Sequence, residues 1–186
     1  MKTNRTSLTS LAALALLALA TLVAGCGSDD NGKTSASGNA TDAAFITDMT
    51  THHQGAIEMA QVAQTRAGHA EVRTLADGII SAQKGQISVM KRIGDDMRGM
   101  GMAHGDHLGM SQSQMGMNMD LPALRRAKPF DRAFIDMMLP HHQGAIAMAR
   151  KELAKGSQPA LRAIAQDTID AQSREIAQMR KWRKAW

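Results

Sequence analysis

FITDMTTHHQGAIEMA, residues 45–60, recurs as FIDMMLPHHQGAIAMA at residues 134–149. The similarity extends without a gap over residues 45–93 and 134–182 at a constant offset of 89, and 18 of the 49 paired positions are identical. Self-similarity of this length indicates that one structural unit is present twice. We therefore expect two similarly folded halves within the 186-residue chain.

Each repeat is predicted to form two helices. Strand-favouring aromatic residues are scarce, with three Phe, two Trp and no Tyr in the chain. Apolar residues recur at helical spacing between residues that start and stop helices. The predicted helices begin at Thr41-Asp42, Ala70, Pro129-Phe130 and Ser157, and the first three end at Gly68, Gly94 and Gly156.

The predicted fold is therefore all-α, a four-helix bundle made of two repeated helical hairpins. The hairpins span residues 42–94 and 129–184, and a Met- and His-rich connection over residues 95–128 joins them. Gly55 and Gly144 lie in the middle of predicted helices, where glycine costs about 1 kcal/mol relative to alanine. They could permit close helix packing or make room beside a ligand.

The N-terminus has the layout of a bacterial lipoprotein signal. Lys2 and Arg5 precede the apolar run 11–23, which ends in Val-Ala-Gly and then Cys26, the only cysteine. We expect residues 1–25 to be a signal peptide, Cys26 to carry the lipid, and residues 26–41 to be a flexible tether. The protein would then be exported and held by its lipid on the outer face, or periplasmic side, of the cell membrane. An ordinary signal peptide and a retained anchor are the alternatives.

The chain is mildly basic. Its formal net charge is +5, and loss of Lys2 and Arg5 with the signal would leave +3. Part of this small excess lies in Arg180, Lys181, Arg183 and Lys184, which we interpret as a solvated helix end near the anionic membrane surface, and we expect no nucleic-acid partner.

Side chains that bind soft metals share one face of each repeat. At 100° per residue, the paired histidines fall in the same sector as nearby methionines. The predicted ligands are Met49, His52, His53, Met59 and Met90 in the first half and Met138, His141, His142, Met148 and Met179 in the second. Methionine at helical spacing also fills cores, and buried histidine pairs can be structural residues held by hydrogen bonds, so both alternatives stay open.

The ligand types favour copper. Imidazole nitrogen with thioether sulfur suits Cu(I), although another soft transition metal would also fit. Iron and manganese bundles use Glu-x-x-His, which none of the glutamates provides, and zinc rarely uses methionine. Asp48 and Asp136 are candidates to orient the imidazoles. Because imidazole must be neutral to bind, copper affinity is expected to weaken as the pH falls through about 6.5.

The connection is rich in soft ligands as well. Seven methionines lie between Met97 and Met119, among Gly, Ser and Gln residues. A loop that only covers the bundle is one interpretation, and a secondary site for Cu(I) or Ag(I) is the other. The candidate secondary ligands are Met97, Met100, Met102, His104, His107 and Met110.

The doubled HHQGAI motif and the lead-in KPFDRAFIDMM resemble the exported bacterial family of domain of unknown function 305, over about residues 42–184. The resemblance implies a ferritin-like bundle, and the family includes a periplasmic copper-binding protein. Carried over by motif, the implied ligands are Met49, His52, His53, Met59, Met138, His141, His142 and Met148.

We therefore expect an extracytoplasmic lipoprotein that sequesters Cu(I) or transfers it to or from a donor or acceptor protein. Two alternatives remain: a metal-dependent oxidase using the same ligands, and an envelope lipoprotein with structural histidines. No catalytic triad, phosphate-binding loop or zinc-finger spacing occurs in the sequence, so an enzyme is the less favoured interpretation.

Overall fold

The computed structural model of the chain describes residues 37–102 and 105–186. These residues form four long helices and one short helix, and none of them lies in a strand. The helices are α1 (Ala40–Arg66), α2 (Ala70–Gly99), α3 (Leu121–Arg126), α4 (Phe130–Lys155) and α5 (Pro159–Ala185). The all-α prediction is confirmed. The predicted signal peptide, Cys26, most of the tether and His104 lie outside the described residues.

Helices α1 and α2 form one hairpin, and α4 and α5 form the other. Within the bundle α1 and α4 pack against each other, whereas α2 and α5 flank them and scarcely meet. The predicted ferritin-like bundle of two repeated hairpins is confirmed. Helix α3 was not predicted, because its six residues are too few to show an apolar period; Asp120 caps its first turn.

Two helix starts use caps other than those predicted. Helix α1 begins after Asn39, whose side chain accepts hydrogen bonds from the backbone N–H groups of Thr41 and Asp42. Asp42 in turn accepts one from the N–H of Asn39, which completes a capping box. Helix α5 begins after Gln158 rather than Ser157, because the Gln158 side chain accepts two backbone hydrogen bonds of the first turn.

Helix α2 continues past Gly94, where the sequence predicted its end, to Gly99. Met97, in the added turn, is only 3% exposed. Burial of a methionine side chain contributes about 1.5–3 kcal/mol, which exceeds the cost of about 1 kcal/mol for one helical glycine. The tertiary contact therefore outweighs the local stop signal.

Each hairpin loop is capped by the first turn of the other hairpin. Asp42 of α1 accepts hydrogen bonds from the backbone N–H groups of residues 157 and 158, between α4 and α5. Asp131 of α4 accepts them from residues 68 and 69, between α1 and α2. Both aspartates are buried, and the two sets of contacts correspond under the repeat. Charge-assisted hydrogen bonds thus tie the two halves together at both ends.

The central contact between α1 and α4 depends on small residues. Ala56 and Ala145, which correspond under the repeat, are fully buried. Phe45 and Phe134, another corresponding pair, fill the core on either side. Small side chains at the contact let the two helix backbones approach closely, so the residues beside them are shielded from solvent.

Residues 105–129 of the connection pack along the bundle, with Met115 and Leu124 buried. Gly116 adopts φ +68°, a conformation that glycine accepts without a steric cost. Among the described residues, no helix has the length and apolar character needed to cross a membrane.

Candidate metal centre

Four histidines lie at the centre of the bundle. His52 and His53 of α1 and His141 and His142 of α4 are all fully buried. The ring centroids of His52 and His141 are 3.7 Å apart, with an angle of 35° between the ring planes. Both pairs therefore lie inside the bundle, as the helical wheel predicts.

The hydrogen bonds of His52 fix its tautomer. Its Nε2 lies 3.0 Å from the backbone carbonyl oxygen of Met115 and 3.0 Å from that of His141. Because a carbonyl oxygen only accepts hydrogen bonds, Nε2 carries the proton and donates to both. The lone pair of His52 is therefore on Nδ1.

The other residue of each pair is oriented by the flanking helix. His53 Nε2 donates to Gln86 Oε1 at 2.7 Å, and His142 Nε2 donates to Glu175 Oε2 at 2.6 Å. Gln86 and Glu175 occupy corresponding positions in the repeat. The same geometry is therefore built twice, with a neutral acceptor in one half and a carboxylate in the other.

Several imidazole nitrogens are left without a partner inside the described part of the chain. They are Nδ1 of all four histidines and Nε2 of His141. A buried polar atom without a hydrogen bond costs about 1–3 kcal/mol. Five such atoms on four buried histidines indicate that the bundle interior is built to bind something that the side chains do not supply.

Burial favours the neutral form of His52, His53 and His141. It lowers the pKa of His52 to about 3 and that of His53 to about 4, and it lowers the pKa of His141 well below the ordinary value. The charge on neighbouring histidines lowers the pKa of His52 and His141 further. Neutral imidazole is the form that binds metal ions, so the lone pairs are available at physiological pH.

The six predicted methionine ligands are fully buried in the bundle. They divide into two clusters, one toward the start of α1 and one toward its end. The first contains Met49, Met90 and Met148, and the second contains Met59, Met138 and Met179. Each cluster is the repeat equivalent of the other, so each takes two methionines from one half and one from the other half.

The residues present fit a soft metal best. Nowhere in residues 37–102 and 105–186 do three His, Cys, Asp or Glu side chains come together as a metal site. Zinc and di-iron centres are built from such groups. Cu(I) accepts imidazole nitrogen together with thioether sulfur, which are the donors that the bundle core provides.

Residues 42–183 match the sequence family described as Domain of unknown function (DUF305). This chain belongs to the DUF305 family. No curated protein sequence matches it.

Solved structures of DUF305 proteins resemble the bundle. CopM in the Cu(I)-bound form is 38% identical, with a TM-score of 0.66, and the match covers 78% of this chain and 96% of CopM. CopM in the Cu(II)-bound form is 39% identical, with a TM-score of 0.67 over 78% of this chain and 97% of the other. A DUF305 protein from Streptomyces coelicolor that is predicted to be secreted is 27% identical, with a TM-score of 0.64 over 75% and 88%.

The connection of this DUF305 chain crosses directly over the histidines. A Cβ atom on Gly144 would collide with the Met115 carbonyl, and one on Gly55 would collide with the side chain of Met119. The two mid-helix glycines therefore make room for residues 115–119. A Cβ atom on Gly55 would also lie 3.4 Å from His141 Nε2 of α4, so both the connection and the neighbouring helix approach this glycine.

Of the predicted secondary ligands that the structure describes, Met97, Met102 and Met110 belong to one hydrophobic cluster, whereas Met100 and His107 are exposed. Met97 is buried and borders the same small cavity as Met102, whereas Met100 is 48% exposed. Met110 packs at the edge of the core cluster near the start of α1. His107 Nδ1 lies 2.5 Å from Asp48 Oδ1, and the carboxylate raises the pKa of His107.

The residues that orient the core imidazoles were not found from the sequence. Asp48 binds the loop residue His107 instead, and Asp136 forms ion pairs on the surface with Arg132 and Arg183. The prediction that these aspartates orient the core histidines is wrong, because the hydrogen bonds and ion pairs of both go to other described residues. Gln86 and Glu175 take that role, and they were missed because they differ between the repeats.

Proposed function

We propose that this protein binds Cu(I) inside its helical bundle and either sequesters the ion or transfers it to a partner protein. The observation that carries the proposal is the set of five unpartnered nitrogens on four fully buried histidines. A structural role would leave these atoms at a cost in free energy, whereas a bound metal ion uses their lone pairs.

The methionine clusters indicate which metal is bound. Each contains one methionine that lies one helical turn before a histidine pair, Met49 before His52 in one cluster and Met138 before His141 in the other. The proposed ligands are drawn from the four histidines and from Met49, Met59, Met90, Met138, Met148 and Met179. Similarity to CopM, whose structures contain Cu(I), Cu(II) and Ag, supports the choice of copper.

We also propose that the protein works outside the cytoplasm as a lipoprotein. The sequence of residues 1–25 and the position of Cys26 support export and lipid attachment. The similar protein from Streptomyces coelicolor is predicted to be secreted. Labelled palmitate should be incorporated into the wild-type protein and not into a Cys26→Ala variant; equal labelling of both would disprove lipidation at this residue.

Copper binding is tested by titration in competition with a coloured Cu(I) chelator under anaerobic conditions, with Cys26→Ser as the parent protein to remove the free thiol. His52→Ala and His141→Ala should each weaken binding by at least about tenfold. His69→Gln, a change at an exposed histidine outside the core, is the matched control and should bind as the parent does. Equal binding by the parent and both core variants would overturn the proposal.

Two further measurements separate this function from its alternatives. A site filled at 100 times its dissociation constant stabilises the folded state by about 2.7 kcal/mol, so Cu(I) should raise the melting temperature of the parent. A protein with purely structural histidines would show no such rise. Copper-dependent oxygen uptake that is lost in both core variants would indicate an oxidase instead.

A further inference from the structure

Met119, which belongs to the connection and to neither repeat, lies beside His141. A Cβ atom placed on Gly55 would be 3.0 Å from Met119 Sδ and 3.4 Å from His141 Nε2. The thioether sulfur and the ring nitrogen therefore approach the same point on the surface of α1. That nitrogen has no hydrogen-bond partner among the described residues, and His141 is fully buried.

The segment that carries Met119 is held at both ends. At its start, the Met115 carbonyl accepts the hydrogen bond from His52 Nε2, and Gly144 leaves room for the chain to pass over α4. At its end, Asp120 caps helix α3 through the N–H of Ala123. The Met119 side chain is therefore positioned by anchored backbone on both sides.

We propose that Met119 is a thioether ligand that joins His141 Nε2 in holding the soft metal ion. This inference rests on the proposed function and adds a ligand that the repeats do not contain. Imidazole nitrogen and thioether sulfur are both donors that Cu(I) accepts. Residues 115–119 then act as a lid that supplies a ligand, and the ion enters or leaves when this segment lifts from α1 and α4.

The lid makes the two halves of the centre unequal. Gly55 faces the sulfur-bearing side chain of Met119, whereas Gly144, its repeat equivalent, faces the backbone of Met115 and Gly116. Only one half therefore gains an extra sulfur from the connection. A chain that binds two ions would bind them with different affinities, and loss of Met119 would weaken only one of the two.

The test uses the Cys26→Ser protein labelled with ¹³C at the methionine methyl groups and titrated with Ag(I), a soft monovalent ion that does not change oxidation state. The Met119 methyl resonance, assigned by its loss in Met119→Leu, should shift as Ag(I) is added. Met119→Leu should weaken Ag(I) binding by at least about tenfold. Met137→Leu, a change at a half-buried methionine of α4 that is not a proposed ligand, should bind as the parent does.

A second pair of variants tests the geometry without removing sulfur. Gly55→Ala should displace Met119 and weaken Ag(I) binding, whereas Gly85→Ala, on an open face of α2, should not. Melting curves of the metal-free variants identify any change that only reflects unfolding. Parent-like affinity in both Met119→Leu and Gly55→Ala, with an unshifted Met119 methyl, would overturn this inference and leave the proposed function intact. A parent protein that binds no Ag(I) or Cu(I) would overturn both.

Discussion

His142 donates a hydrogen bond to Glu175 across 2.6 Å, from a fully buried ring to a carboxylate at the edge of the core. In the other half of the molecule the acceptor for His53 is the neutral amide of Gln86. A carboxylate that accepts from a metal-binding imidazole makes the ring a stronger donor to the metal than an amide does. The two histidine pairs, identical in sequence, would therefore differ in strength as the proposed copper ligands.

Exchange of the acceptors should change copper affinity in opposite directions. Glu175→Gln is expected to weaken Cu(I) binding roughly tenfold, and Gln86→Glu to strengthen it, because outer partners of ligating histidines have effects of this size. Chelator competition measures both. Each substitution introduces the residue that already occupies the corresponding position of the other repeat, so the melting temperature should change little. Unchanged affinity in both variants would show that the acceptors have only a structural role.

Alanine substitutions at four helical glycines should change the free energy of unfolding in opposite directions. Gly144→Ala and Gly55→Ala should destabilise the protein by about 1–3 kcal/mol, because the added methyl group overlaps the connection. Gly78→Ala and Gly85→Ala meet open space and should stabilise it by about 0.5–1 kcal/mol. Urea unfolding of the metal-free protein gives all four values. Stabilisation by Gly144→Ala would contradict the packing of residues 115–119 described above.

Glu152 should make the protein less stable as the pH rises. Its side chain is fully buried, and the carboxylate of Asp42 nearby disfavours a second negative charge, so the neutral form of Glu152 is favoured. Burial, with this contact, raises its pKa to about 8, against 4.5 in the unfolded chain. Its contribution is therefore fully present below pH 4.5 and is lost as the pH rises toward 8.

The melting temperature of the wild-type protein should consequently fall between pH 6 and pH 9. Glu152→Gln, which can donate an amide N–H to Asp42 at any pH, should flatten this part of the curve. Glu71→Gln, an exposed position at the start of α2, is the control and should follow the wild type. Parallel curves for wild type and Glu152→Gln would show that Glu152 does not titrate in this range.

The core histidines should have the opposite effect in acid. Their pKa values are lowered, to about 3 for His52 and about 4 for His53, from 6.5 in the unfolded chain. The stability that they contribute is present above pH 6.5 and is lost as the pH falls toward 4. Urea midpoints of the metal-free protein should therefore drop over this interval. His53→Gln should reduce the slope by about one proton, or about 1.4 kcal/mol per pH unit.

The same lowered pKa values revise the pH expected for copper release. The sequence alone predicted a loss of affinity through about pH 6.5, the ordinary value for histidine. In the folded bundle His52 and His53 stay neutral well below that pH. Cu(I) affinity should thus be nearly constant from pH 7 to pH 5 in chelator competition. A steep loss near pH 6.5 would mean that the ligating rings are more exposed to water than the structure shows.

The two hairpins could be predicted from the sequence because the internal repeat and the helical spacing of apolar residues indicate the same four helices. It placed His52, His53, His141 and His142 inside the bundle, since a wheel shows which residues share a face. The predicted end of helix α2 was wrong because the burial of Met97, a tertiary contact, extends the helix past Gly94.

Other parts of the centre left no periodic signal. The connection has no apolar period, so the sequence could not place residues 115–119 between Gly55 and Gly144. The partners Gln86 and Glu175 lie in corresponding positions but differ chemically. A search for residues that are identical in the two repeats therefore did not find them. A comparison of corresponding polar residues, identical or not, would have found both.

The exchange of caps between Asp42 and Asp131 bears on how this fold could arise. One hairpin alone leaves the N–H groups of its loop uncapped, because the aspartate that completes them belongs to the other hairpin. Two copies of a half-length ancestor, packed about a two-fold axis, would have satisfied both loops at once. Gene fusion would then have turned an obligate homodimer into one chain and freed each half to mutate separately.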